Sequence, residues 1–177
     1  MTELARVLAS KEKAYHGTSK KFKELKIGKH SGTGAGSLYG DAIYFTSDQD
    51  TAKSFAGNGP NAKVYVLDDM EKLNLFDCNN TKFKKISLEI LKKLQEDFPG
   101  SYSLEYVTTR DLFQGMKDAM VFSNIKNGPN AGEAAKLIKN ILVQMGYDGV
   151  RSKQSDGTFY YALYNPKVFK SLKVIKP

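Results

Sequence analysis

Three short stretches hold the residue types that could do chemistry: Tyr15-His16-Gly17-Thr18, then Gly40-Asp41-Ala42-Ile43-Tyr44-Phe45-Thr46-Ser47, and late in the chain Gly146-Tyr147-Asp148-Gly149-Val150 followed by Phe159-Tyr160-Tyr161. Each has a plain reading beside the chemical one. A tyrosine on a strand beside glycines, such as Tyr44, is either core or a stacking platform at the edge of a cleft. His16 is either a satisfied core or surface histidine or a polar group in a site. Other chemistries have little to be built from. Two histidines, one cysteine and no His-x-x-x-His spacing leave no metal set. No phosphate-binding Walker loop and no serine-hydrolase elbow is present. Gly32-Thr33-Gly34-Ala35-Gly36 has alternate glycines, but no apolar strand leads into it and no helix follows, which speaks against a dinucleotide-binding turn.

The elements that must position these stretches can be read from pattern. Lys13–Thr18 reads as a strand ending at glycine, and Ile43-Tyr44-Phe45 as a second, entered through the Gly40-Asp41 turn. Ser47 is the expected cap of a following helix, with Asp50 three residues on and Ala52, Phe55 and Ala56 as its apolar stripe before Gly57. Lys63–Leu67 reads as a strand closed by Asp68-Asp69. Thr2 to Lys11, Ser87 to Phe98 and the stretch after Thr108 read as helices. A further helix is expected from Asn130 as cap through Leu137, Ile138, Ile141, Leu142 and Met145 to Gly146. Gly149-Val150-Arg151, Phe159–Tyr164 and the segment from Lys167 to Pro177 return to strand. Strands at both ends around a helical middle predict the α+β class, and no repeat or heptad suggests a second domain within 1–177.

With 177 residues and 41% hydrophobic content, one core can form without staples. The single Cys78 excludes an internal disulfide and points to a reducing compartment; with no apolar run long enough for a membrane and no signal-like start, the expectation is a cytoplasmic monomer. The net charge of +8 comes almost wholly from lysine, since the only arginines are Arg6, Arg110 and Arg151. Lys20, Lys21, Lys23, Lys26 and Lys29, in a basic loop of glycine and serine, are either a solvated face or an electrostatic footprint for nucleic acid, a phosphate-bearing ligand or an acidic protein surface.

Taken together, Tyr-His-Gly-Thr, the Gly-x-x-x-Tyr-Phe-Thr strand with its helix, and Gly-Tyr-Asp-Gly ahead of a strand ending in Asn165-Pro166 resemble the ADP-ribosyltransferases of the His-Tyr-Glu class, which includes diphtheria toxin and the poly(ADP-ribose) polymerases. The match is closest to small microbial and phage-borne members. The resemblance implies split antiparallel sheets around an NAD cleft, with NAD as substrate and no metal. It implies that His16 hydrogen-bonds a ribose hydroxyl of the adenosine, that the Gly17 backbone clamps the nicotinamide carboxamide, and that Tyr44 stacks on the nicotinamide, with Thr18 and Phe55 completing the NAD contacts. If the source is a phage or an effector set, the host cytoplasm is the implied place of action.

The third member of the family's triad is where the sequence departs. Counting back from Asn165-Pro166 places Tyr160 where relatives carry a glutamate. Asp156 in the preceding turn is the nearest acid, and the expectation is that it, not Tyr160, supplies the polar contact to the nicotinamide ribose, with Gln154 as the other candidate; Asp156-Gly157 is equally good turn chemistry. The expectation is transfer of a single ADP-ribose to a macromolecular acceptor, a protein or a nucleic acid, because polymer-forming relatives use the acid to activate a ribose hydroxyl. An inactive NAD- or ADP-ribose-binding module and a basic nucleic-acid-binding protein are the alternatives.

Overall fold

The computed structural model describes residues 12–21, 25–27, 39, 41–78 and 131–177. The expected helices at 2–11, 87–98 and after Thr108, together with most of the basic loop, lie outside the described residues. Strand β1 is Ala14–Thr18, β2 Ile43–Thr46, β3 Lys63–Leu67, β4 Leu75–Asp77, β5 Gly149–Lys153, β6 Phe159–Leu163 and β7 Lys173–Ile175. Helix α1 is Gln49–Ala56 and α2 Ala131–Gln144, with short 3-10 turns at Met70–Lys72 and Val168–Ser171. The mixture is α+β, and its strands form one seven-stranded sheet in the order β4-β5-β6-β2-β1-β3-β7. Every pairing is antiparallel except that of β4 with β5, so the purely antiparallel arrangement expected is corrected by one parallel edge. β4 was not expected at all: three residues give too short a pattern to announce a strand.

The sheet is two halves with a thin join. β1 and β3 pair over five residues and β2 and β6 over four, but β1 meets β2 only at Tyr15 opposite Thr46. Side chains directly opposite each other share a face, and the face alternates along each strand. One face carries Ala14, Ile43, Phe45, Tyr65, Leu67, Tyr161 and Leu163, packed with Leu25 and Met70 into a core. On the other face Val64 is buried against Ala52 and Ala56 of α1, flanked by Tyr15 and Ile175.

Helix α1 is set one residue later than expected. Asp48 is its N-cap, accepting the Thr51 N–H at 2.7 Å, and Ser47 instead prolongs the β2–β6 ladder. The Ser47 N–H donates to the Phe159 carbonyl and the Ser47 hydroxyl accepts the Phe159 N–H, both at 2.9 Å. The expected apolar stripe is also corrected. Ala52 and Ala56 are buried, whereas Phe55 is 68% exposed. The helix lies so close to β1 that a Cβ on Gly17 would stand 1.6 Å from the Ala52 carbonyl oxygen, so the sheet-facing positions admit only small residues.

Helix α2 ends as its sequence announces. The Tyr147 N–H bonds the Leu142 carbonyl and the Gly146 N–H the Val143 carbonyl, with Gly146 at φ +85°, which is the Schellman arrangement. Ile141 and Leu142 are buried and Met145 is half-buried.

Candidate functional site

The thin join between β1 and β2 brings His16 to the Tyr44 strand, while Asp156 and Phe55 stand away from it. His16 Nδ1 donates across it to the Tyr44 carbonyl at 2.7 Å, and its ring leans on Phe45 and Tyr65 at centroid distances of 5.6 and 6.3 Å. That bond fixes the tautomer with the proton on Nδ1 and turns Nε2 away from Tyr44. The imidazole therefore stands on the Phe45 face of the sheet, at the line where the halves part.

Tyr44 leaves β2 on the opposite face. Thr46, Tyr160 and Ser152 are directly opposite one another across β2, β6 and β5, with Tyr15 opposite Thr46 on the other side. Tyr44, two residues from Thr46, shares that face, as does Gly17, two residues from Tyr15. The result is a polar and aromatic row, Thr46–Tyr160–Ser152, flanked by Tyr44 and bounded by α1. Ser152 and Thr46 are buried, while Tyr160 keeps 37% of its surface open. The exposed Phe55 ring belongs to the helix that bounds the row.

Tyr44 is held at its tip. Its hydroxyl accepts the Tyr39 N–H at 3.0 Å, while the Tyr164 hydroxyl donates to the Tyr39 carbonyl. Burial pushes the Tyr44 phenol well above its ordinary range, with the Tyr39 N–H pulling weakly the other way, so it stays protonated at neutral pH. Only its ring is available for stacking. Gly17 meets α1 with no space for a side chain, a packing requirement that stands beside the ligand role the resemblance gives it. The Thr18 hydroxyl accepts the Lys20 N–H at 3.2 Å and so fixes the turn leaving β1.

The two polar candidates for the third position are placed differently. Asp156 is exposed, and its Oδ1 accepts the Thr158 N–H at 2.9 Å and the Thr158 hydroxyl at 2.7 Å. These bonds pull its carboxyl below the usual range and close the turn, in which Gly157 supplies φ +87°. Gln154 continues the β5–β6 ladder, its N–H donating to the Thr158 carbonyl at 2.8 Å. Its Nε2 bonds the Ser152 carbonyl and hydroxyl at 3.2 and 3.3 Å, beside the Tyr160 row. With the amide nitrogen so used, the amide oxygen is the Gln154 atom that can accept from a ligand hydroxyl. Thr46 and Ser152 escaped the sequence reading because only the strand register shows that they flank Tyr160.

The later motifs turn out to brace this arrangement. Asp148 accepts the Asn74 N–H at 3.0 Å through Oδ2 and the Asn165 amide at 2.7 Å through Oδ1, tying the start of β4 to the Asn165-Pro166 corner. Across the join, Glu12 accepts the Tyr161 hydroxyl, with the Arg151 guanidinium 3.7 Å away. Arg151 lies over the Phe159 ring at 3.9 Å. Among the described residues, no three histidine, cysteine, aspartate or glutamate side chains come together as a metal would need.

No curated protein matches the chain. A solved structure titled "Crystal structure of an anti-CRISPR protein" aligns over 94% of this chain and 95% of its own at 15% identity, with a TM-score of 0.43. The profile described as "ADP-Ribosyltransferase in polyvalent proteins" matches residues 11–174. That span runs from just before β1 into β7 and takes in His16, the Tyr44 strand, α1, the Tyr160 row and the Asp148 brace, so the chain belongs to the family of ADP-ribosyltransferase domains found in polyvalent proteins.

Proposed function

We propose that the chain transfers one ADP-ribose unit from NAD to a macromolecular acceptor, most naturally a protein. The observation that carries this reading is the meeting of His16 and the Tyr44 strand at the parting of the two half-sheets, beside a row with open aromatic surface. In the reaction the bond between ribose C1′ and the nicotinamide nitrogen breaks, and its electron pair leaves with the nicotinamide. A lone pair of the acceptor forms the new bond to C1′, and the acceptor's proton passes to solvent. His16, with its proton fixed on Nδ1, presents Nε2 as an acceptor for a ribose hydroxyl. The Tyr44 ring supports the flat leaving group, and Phe55 offers a second ring face.

In this reading Gln154 makes the ribose contact that relatives give to glutamate, and Tyr160 walls the site. A neutral amide oxygen stabilises a cation-like sugar less than a carboxylate does, which suits a single transfer and not chain growth. Asp156 is the competing candidate, and its bonds to Thr158 and its exposure favour the turn role. The absence of a carboxylate from the Tyr160 row also supports a second reading, an NAD- or ADP-ribose-binding module without turnover. Incubation of the purified protein with labelled NAD and cell lysate separates them. Transfer of label, lost in His16→Ala, is the expected result; NAD binding without transfer or hydrolysis would establish the module.

A further inference from the structure

A cavity of about 660 Å³ opens between the Leu25–Ile27 segment, helix α2 and the corner that follows β6. Its floor is apolar: Leu25, Ile27, Pro166 and Phe169, with the ring of Tyr164, whose hydroxyl is spent on the Tyr39 carbonyl. Its rim is cationic, made of Lys26, Lys139 and Lys170. Among the described residues no carboxylate pairs with Lys139 or Lys170. The volume lies within the roughly 300–1,000 Å³ of built ligand sites. Two ring contacts connect it to the proposed centre: Phe169 stacks on Phe45 at 6.4 Å and 12°, and Phe45 meets His16 at 5.6 Å.

We infer that this cavity docks an acidic segment of the acceptor protein, which sets one apolar side chain on the floor and its carboxylates on the lysine rim. The floor decides between anionic partners. Nucleic acid binding without sequence reading relies on flat ring faces for successive bases. Here Phe169 already spends one face on Phe45, Tyr164 is buried, and the remaining floor is leucine, isoleucine and proline, which suits an aliphatic or aromatic side chain. Lysine ammoniums on mobile stems fit carboxylates spaced along an extended peptide. A docked segment would hold its neighbouring residues near His16 and raise their effective concentration at the proposed centre.

This names the acceptor class and rests on the transferase reading for its purpose, so binding is measured without NAD and the two can fail separately. The probe is a fluorescein-labelled Glu-Glu-Leu-Phe-Glu-Glu peptide followed by anisotropy at low salt, against an all-glutamate peptide and a single-stranded oligonucleotide of equal charge. The wild-type protein should bind the apolar-centred peptide at least about 5-fold tighter than either control, and Lys139→Gln/Lys170→Gln should reduce that binding about 5- to 10-fold. Lys170 is exposed and Lys139 half-buried, and unchanged circular dichroism would show the variant folded. Equal binding of the all-glutamate peptide, tighter binding of the oligonucleotide, or an unaffected double variant would each overturn the inference.

Discussion

Replacing Gly17 by alanine tests the closest approach found at any glycine among the described residues. The added Cβ would lie 1.6 Å from the Ala52 carbonyl oxygen, 2.7 Å from the Ala52 carbonyl carbon and 2.9 Å from the Ala56 nitrogen, all backbone atoms of one helix. Because Cβ contacts under 3.0 Å are essentially never found, α1 has to retreat from β1 by well over 1 Å. Since a gap of about 0.5–1 Å already forfeits a quarter to a half of the dispersion energy, a retreat of that size forfeits at least half of it between Ala52, Ala56 and the Val64 surface beneath them. Overpacking with backbone shift costs about 1–3 kcal/mol, and a rigid obstacle places this case at about 3 kcal/mol. For a chain of this length that lowers the melting midpoint by roughly 6–12 °C. Urea unfolding of Gly17→Ala beside Gly59→Ala, where a Cβ meets nothing within 4 Å, is the assay. The Gly59 variant should stay within about 0.5 kcal/mol of wild type. Equal midpoints for the two variants would refute the close approach of helix and strand. A stable Gly17→Ala that no longer binds NAD would instead assign the glycine to the ligand.

Tyr161→Phe, which removes a hydroxyl donated to the Glu12 carboxylate from a fully buried ring, should cost about 1.5–3 kcal/mol in urea unfolding, the scale of a hydrogen bond to a charged group. Tyr44, Tyr161 and Tyr164 are all raised above the ordinary phenol range, chiefly by burial. Their folded forms hold protons that the unfolded chain releases near pH ~10, so stability is full below that pH and is lost as pH rises beyond it; a urea midpoint flat from pH 8 to 11.5 would contradict this. For the third site position, Gln154→Ala should lower transfer by at least ~10-fold, and Asp156→Asn should cost less; the reverse order in labelled-NAD assays would return the role to Asp156.

Much of this was legible because local pattern and global fold agree. The β-branched and aromatic run at Lys63–Leu67 and the glycine stop at Gly146 each carry a complete local signal, and both elements stand where the pattern puts them. Where two residues compete for one role, the sequence alone does not decide. Ser47 and Asp48 are both good caps, and the choice fell to Asp48 because the Ser47 hydroxyl and N–H are taken by Phe159, 112 positions away. Phe55 read as core because its spacing from Ala52 and Ala56 is helical. Only the closeness of α1 to Gly17 shows that the sheet side has room for alanine and none for phenylalanine. Of the candidate site, His16 and Tyr44 sit in motifs, but their placement on opposite faces follows from a register fixed by β3 and β6.

That placement bears on the ligand. A small molecule resting on one face of a continuous sheet could touch the Tyr44 ring or the His16 imidazole, since the alternation that separates the two residues also separates their side chains. Both can be reached from one ligand only where the strand pairing gives out, and the pairing of β1 with β2 is the shortest in the sheet, a single one at Tyr15 and Thr46. The His16 bond to the Tyr44 carbonyl lies beside that single pairing and places the imidazole where it ends. A ligand meeting both groups must therefore run along the parting of the half-sheets. It needs a flat group at one end for the Tyr44 face and a hydroxylated segment some distance off for His16. A dinucleotide has that form, with a nicotinamide at one end and a second ribose beyond the diphosphate. On the proposed reading, the weak join is the feature that lets the two faces serve one substrate.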